Sequence, residues 1–189
     1  MKKYLTGIIA LLLVATSAAV AYELSGIKWV EVKAKGNAYA GVAENYAILV
    51  VLGEDQWNSW AKIKIRYIKD IDSVESACFT YHKIKGEVTP YLVLEVDTDG
   101  DCIADTWVVQ WPKKAEKYKI DYFSDDWQVV SRISEYDMRG EHLTLEQVRD
   151  TIDGELKSVK VAVGFWESNK EHAYAIFSVK VNGIEILQE

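Results

Sequence analysis

After residue 26 the chain is built of short apolar or alternating blocks separated by turn signals. Residues 27–32 alternate apolar and polar side chains, while 46–52 is a continuous apolar run suited to a buried strand. Ile63, Ile65 and Tyr67 alternate with Lys62, Lys64 and Arg66, which predicts a half-buried strand with a basic outer face. Residues 79–84 and 91–96 flank 85–90 and read as a hairpin; strands at 106–111, 128–133 and 159–166 follow. Residues 174–181 and 184–187 are joined by Asn182-Gly183, a strong hairpin signal. One helix is expected, opening on the capping-box pattern Thr144–Gln147, spaced by Leu145, Val148 and Ile152, and stopped at Gly154. About nine or ten strands with one helix predict an all-β fold, a two-sheet antiparallel sandwich of the jelly-roll kind. An immunoglobulin-like sandwich is the alternative, but the chain is long for it and lacks its Cys-Trp-Cys spacing.

The N-terminus carries a different pattern. Lys2 and Lys3 precede the apolar run 8–15, and Ala19-Val20-Ala21 forms a small-residue cleavage site. Residues 1–21 therefore read as a secretory signal peptide, and 22–189 as a single secreted domain. The apolar run falls short of the ~20 residues that span a bilayer, so no stable membrane insertion is expected after cleavage. Loss of Lys2 and Lys3 leaves 20 basic against 29 acidic side chains, a formal charge of −9. That balance argues against nucleic acid or anionic membranes as partners and suits a cation binder.

The candidate chemistry is concentrated at Asp97-Thr98-Asp99-Gly100-Asp101-Cys102-Ile103-Ala104-Asp105. Carboxylates this close repel one another unless a cation lies between them. Set on the calcium loop of EF-hands, Asp97, Asp99 and Asp101 fall at positions 1, 3 and 5, the Ile103 carbonyl at 7 and Asp105 at 9. The glycine position is Cys102, the bidentate glutamate position is Val108, and a strand precedes the loop. The expectation is a strand-borne Ca2+ site needing a further ligand; the alternative is a solvated acidic turn. Cys78 and Cys102 are the only cysteines, and in a secreted chain an even count favours a disulfide between them over two free thiols.

Catalytic patterns are incomplete. Glu95-Val96-Asp97 begins the E-x-D-x-x-E strand motif of retaining glucanases, but the final glutamate position is Gly100. A remote partner would have to come from Glu135, Asp137 or Glu167, and we read the chain as not an enzyme. His82, His142 and His172 lack transition-metal spacing. Among seven tryptophans, Trp107 and Trp166 read as core. Trp57, Trp60 and Trp127 have polar neighbours and are candidates either for stacking on sugar rings or for packing.

The stretch IDSVESACFTYHKIKGEVTPYLVLEVDTDGDCIAD, with the later VKVAVGFWESNKEHAYAIFSVKVNG, resembles secreted calcium-binding jelly-roll domains of the lectin and carbohydrate-binding type over about residues 63–184. Signal peptide, size, all-β character and acidic loop are also similar to archaeal cannula and camelysin-like extracellular fibre subunits. Low Asn, Gln and Met beside plentiful Lys and Glu is of a thermophilic kind, in keeping with an archaeal source. The resemblances imply two functions. One is an extracellular structural subunit that self-assembles with neighbours, with residues 22–34 pairing either in trans or in their own sheet. The other is a lectin-like module that binds a polysaccharide.

Overall fold

A computed structural model describes residues 30–53, 59–164 and 170–187. The leader 1–21, residues 22–29, Trp57, Trp166 and Glu167 lie outside the described residues. Alternation in the sequence becomes strand wherever one face can be buried: β1 (Val30–Lys35), β2 (Ala38–Ala43), β3 (Tyr46–Leu52), β4 (Trp60–Asp70), β5 (Ala77–Lys85) and β6 (Tyr91–Asp97) come first. The chain continues with β7 (Thr106–Gln110), β8 (Tyr118–Tyr122), β9 (Trp127–Ser131), β10 (Met138–Leu143), the helix α1 (Leu145–Thr151), β11 (Glu155–Gly164), β12 (Glu171–Val181) and β13 (Ile184–Glu185). No helix among the described residues is long and apolar enough to cross a membrane.

Two antiparallel sheets result: a seven-stranded one in the order β1-β4-β11-β6-β7-β9-β10, and a six-stranded one in the order β2-β3-β12-β5-β8 with β13 paired to β12 off that path. From β3 to β6 the chain changes sheet at every step. The late strand β11 then enters between β4 and β6, and β12 enters between β3 and β5. That double interleaving of early and late strands is the jelly roll. The core between the sheets contains Leu49, Ile63, Leu92, Leu94, Val161 and Ile176 with the rings of Phe79, Tyr81, Tyr122, Tyr174 and Trp127. Phe79 meets Tyr122 edge-on at 5.4 Å and Tyr81 meets Tyr174 at 5.8 Å, an arrangement suited to the ring quadrupoles.

The local signals for α1 and the last turn are realised. Gln147 N donates to Thr144 Oγ1 at 3.1 Å while Thr144 N donates to Gln147 Oε1 at 2.8 Å, and Val148 and Ile152 are buried. Asn182 and Gly183 both take positive φ between β12 and β13.

Three expectations are corrected. The blocks at 79–84 and 91–96 do not form a hairpin, because β5 and β6 belong to opposite sheets. Cys78 and Cys102 are consequently unbonded: Cys78 is buried in β5, and Cys102 is exposed in the loop after β6. Residues 27–29 lie outside the described residues, and the first described strand opens at Val30. It pairs in its own sheet from Val30↔Ile65 to Lys35↔Trp60, so residues 30–34 are not offered to a neighbour.

Gly154 joins the helix to β11 at φ +151, and a Cβ there would meet the Asp97 carbonyl oxygen at 2.4 Å. Gly154→Ala should lower stability by about 1–3 kcal/mol, whereas Gly41→Ala, with nothing within 4 Å, should change it little. Chemical denaturation of the two variants checks the contrast.

Candidate functional site

The acidic loop follows β6 directly. Asp97 Oδ1 accepts from Gly100 N at 2.8 Å and its Oδ2 from Cys102 N at 2.9 Å; Asp99 and Asp101 each accept the backbone N–H two residues on. Cys102 adopts φ +69, so the chain makes the left-handed turn at the loop's glycine position without a glycine. Asp97, Asp99 and Asp105 converge, with one carboxylate oxygen of each within 4.8 Å of the others. Asp101 is not in this group and caps Ile103 N instead, while the Ile103 side chain is exposed.

Asp105 accepts from Thr98 and Thr106 hydroxyls, each at 2.7 Å. Burial pushes the Asp97 carboxyl up, but Lys157 and the Gly100 and Cys102 N–H groups outweigh it and hold it below the usual range. Lys157 Nζ lies 3.1 Å from Asp97 Oδ2 and also bonds Glu155. Three converging carboxylates fit a hard, oxygen-preferring cation, with one reservation of chemistry: the Lys157 ammonium already neutralises Asp97, so a bound cation has to compete with it.

Two residues before the loop, β6 carries Glu95 on the outer face of the seven-stranded sheet. The register lines up Arg66, Ser158, Glu95, Trp107 and Val130 in one row across β4, β11, β6, β7 and β9. The next row is Glu31, Lys64, Lys160, Val93, Val109 and Gln128; beyond it come Lys33, Lys62, Ala162 and Tyr91.

Glu95 is only 6% exposed and is held by Lys160, by Lys64 at 2.8 Å, by the Ser158 hydroxyl and by the Trp107 indole N–H at 3.2 Å. Burial alone pushes its carboxyl up; the hydrogen bonds from Lys160, Lys64 and Ser158 outweigh burial and bring it down to about 2. It is a fixed negative charge, unsuited to deliver a proton near neutrality. Lys62 has the opposite fate: burial, with the Lys160 ammonium beside it, lowers it to about 8. Its Nζ lies 4.6 Å from the centroid of the Trp60 ring. Beside the charges, Tyr91, Val93, Val109 and Ala162 form a small apolar cluster against which Trp107 packs, and the Arg132 guanidinium lies 5.4 Å over the Trp107 ring.

The tryptophans sort differently from expectation. Trp127 is 1% exposed, its indole N–H donating to the Ser124 carbonyl at 2.7 Å, so it is a core residue and no stacking platform. Trp107, read as core, faces outward. Trp60 is half-buried at the start of β4. Glu135 and Asp137 sit in and after a short 3-10 turn that follows β9, and Asp137 pairs with Arg139. His82, His142 and His172 are spread over β5, β10 and β12; His142 bonds Asp126 at 2.6 Å. Sequence reasoning missed the Glu95 cluster. Its signals were the basic face of Lys62, Lys64 and Arg66 and the distant Lys160, almost a hundred residues further on.

The outer face of the six-stranded sheet is of another kind. Ile48 and Val50 lie beside Ala175 and Ala173, and an aromatic line runs Tyr46–Phe177–Tyr118 at ring separations of 6.0 and 6.3 Å. Tyr39, Tyr46 and Tyr118 on it are exposed.

No protein-family model matches the chain, and no curated protein matches it. Among solved structures it is similar to a family 11 carbohydrate-binding module from Clostridium thermocellum, determined in complex with a beta-1,3-1,4-mixed-linked tetrasaccharide. Identity is 13% over 92% of this chain and 94% of that one, with a TM-score of 0.44. So loose a likeness carries no argument; the jelly-roll assignment rests on the strand order above.

The lowered Lys62 makes a prediction with a definite sign. Between about pH 8 and the ordinary lysine value of 10.5 the unfolded chain holds the proton that folded Lys62 has lost, so stability gains from this residue as pH rises through that window. Below about pH 8 the charged form is a burden on the fold. Lys62→Met should therefore raise Tm at pH 7 by more than at pH 10. An equal shift at both pH values, read by thermal unfolding, would contradict the assignment.

Proposed function

We propose that this chain is an exported, non-catalytic sandwich that binds polysaccharide on the outer face of its seven-stranded sheet. The observation that carries the reading is Trp107, fixed at its edge by Glu95 and at its base by the apolar cluster, with Arg132 over its ring and Lys64 and Lys160 on the same Glu95 carboxylate. A sugar ring needs an apolar surface for its C–H face and hydrogen-bonding groups for its hydroxyls, because unmet hydroxyls are costly to desolvate. This face supplies both. A glycosidase needs a second, free carboxyl beside Glu95; its row offers Arg66, Ser158 and Trp107, and Asp97, two residues on, is tied to Lys157 and to the Gly100 and Cys102 N–H groups. In affinity electrophoresis through gels containing soluble polysaccharides, the full chain should be retarded by at least one. Trp107→Ala should lose most of that retardation while remaining folded; undiminished retardation would remove the face from the reading.

The acidic loop is proposed to hold Ca2+ through Asp97, Asp99 and Asp105, displacing the Lys157 ammonium, and so to brace the junction of β6, β7 and β11. Each tenfold rise in free calcium above the dissociation constant should add about 1.4 kcal/mol of stability. Thermal unfolding in chelator and in calcium measures this. Asp99→Asn should abolish the calcium response at small cost to the metal-free protein, since Asp99 is exposed and caps only Asp101 N. Identical midpoints with and without calcium would leave the loop as an acidic turn.

A second reading, an extracellular assembly subunit, is favoured by the exposed aromatic line of the six-stranded sheet, since monomers seldom expose large contiguous apolar faces. With β1 paired at home, assembly would proceed by stacking of this face rather than by strand donation. Light scattering over a wide concentration range tests it, and a monomer throughout would exclude it.

A further inference from the structure

Resting on the carbohydrate reading, we infer that the glycan bound at the seven-stranded sheet is anionic, its carboxylate or sulfate groups received by Lys62, Lys64, Lys160 and Arg66. The face is basic in a protein that is acidic overall, with a formal charge of −7 for the full chain. Five cations, Lys33, Lys62, Lys64, Lys160 and Arg66, stand in adjoining rows of β1, β4 and β11. Two carboxylates answer them there. Glu31 pairs with Lys33 at 2.6 Å, and Glu95 is shared by Lys64 and Lys160. Among the described residues, no carboxylate forms an ion pair with Lys62 or Arg66.

The register makes the imbalance costlier. Lys33 lies directly across from Lys62, and Lys64 directly across from Lys160. Like charges at opposed positions destabilise a sheet, and only the Lys64–Lys160 pair has a bridging carboxylate, Glu95. The lysine side chains are also partly withdrawn from water: Lys160 is 11% exposed and Lys64 37%. Their field is less screened than that of free surface lysines. An incoming carboxylate or sulfate supplies the missing counter-charge, and Trp60 and Trp107, one on either side of the lysine rows, supply the surfaces for the rings that carry it.

The lowered Lys62 follows from this geometry. The groups facing Lys62 are Lys33 on β1, Lys160 on β11 and Glu95 on β6, and two of the three are cations. An anion placed beside Lys62 restores its proton. Affinity should therefore fall as pH rises through 8, well below the range in which ordinary lysines lose charge.

Calorimetric titration of the full chain with polygalacturonate, dextran sulfate, a neutral mixed-linkage β-glucan and single-stranded DNA, at pH 7 and low salt, tests the inference. Binding of either anionic polysaccharide at least about tenfold tighter than the neutral glucan is expected, weakening with added NaCl as screening requires. Polygalacturonate and dextran sulfate separate carboxylate from sulfate recognition. Lys62→Met should weaken the anionic ligand about tenfold while raising Tm, which a merely structural lysine would not do. Neutral glucan bound as tightly as the anionic polymers overturns the inference and leaves carbohydrate binding standing. DNA bound as tightly as either polysaccharide overturns it in favour of unselective polyanion binding. No binding to any polysaccharide overturns both.

Discussion

A single carboxylate organises the outer face of the larger sheet. Glu95 is drawn out of water, and a charge so placed is tolerated only when paired and fully hydrogen-bonded. It meets that condition by recruiting Lys64 from β4, Lys160 and Ser158 from β11 and the indole N–H of Trp107 from β7. Three neighbouring strands are thereby tied to β6 on the side away from the core. The orientation of Trp107 and the crowding of the lysines both follow from where Glu95 sits. Two residues on, the same strand ends in Asp97, whose partner Lys157 again comes from β11. The β6–β11 ladder thus carries both candidate sites, one cationic on the sheet face and one anionic at the strand end.

Much of the fold was legible because the sandwich buries one face of each strand. The alternation around Ile63 and Ile65, the apolar run of β3, the capping box of α1 and the Asn182-Gly183 turn each act over a few residues, and each is where local chemistry placed it. Sheet membership was not legible. β5 and β6 are separated by a turn-like segment, and nothing local distinguishes a hairpin from a crossing between sheets. The later insertion of β11 and β12 decides it, and with it the separation of Cys78 from Cys102. The edge strands β2, β8 and β10 were also missed: Ala-Tyr-Ala-Gly-Val-Ala and Met-Arg-Gly-Glu-His-Leu do not alternate, Tyr-Lys-Ile-Asp-Tyr alternates over five residues only, and little of any of them is buried.

The candidate site was half legible. Contiguous sequence showed Asp97, Asp99 and Asp105, since loop chemistry is local. Asp101 lies outside the converging group and accepts the Ile103 N–H. The exchange of Trp107 and Trp127 has a plain cause. In β7 the inward positions are Thr106, Val108 and Gln110, so polar residues point in and the tryptophan points out. Trp127 is flanked by Asp125 and Asp126, yet it opens β9 facing the core, where its N–H finds the Ser124 carbonyl. The lysine rows were invisible because Lys160 meets Lys64 only through strand pairing.

The claim that Glu95 and its lysines act as one unit is tested most directly by a double-mutant cycle on folding stability with Glu95→Gln and Lys160→Met. If the buried carboxylate organises the face, the two substitutions should be strongly non-additive, with a coupling of about 1–3 kcal/mol. Additivity to within about 0.5 kcal/mol would mean that Glu95 and Lys160 are energetically independent, and the account built on their pairing would fail.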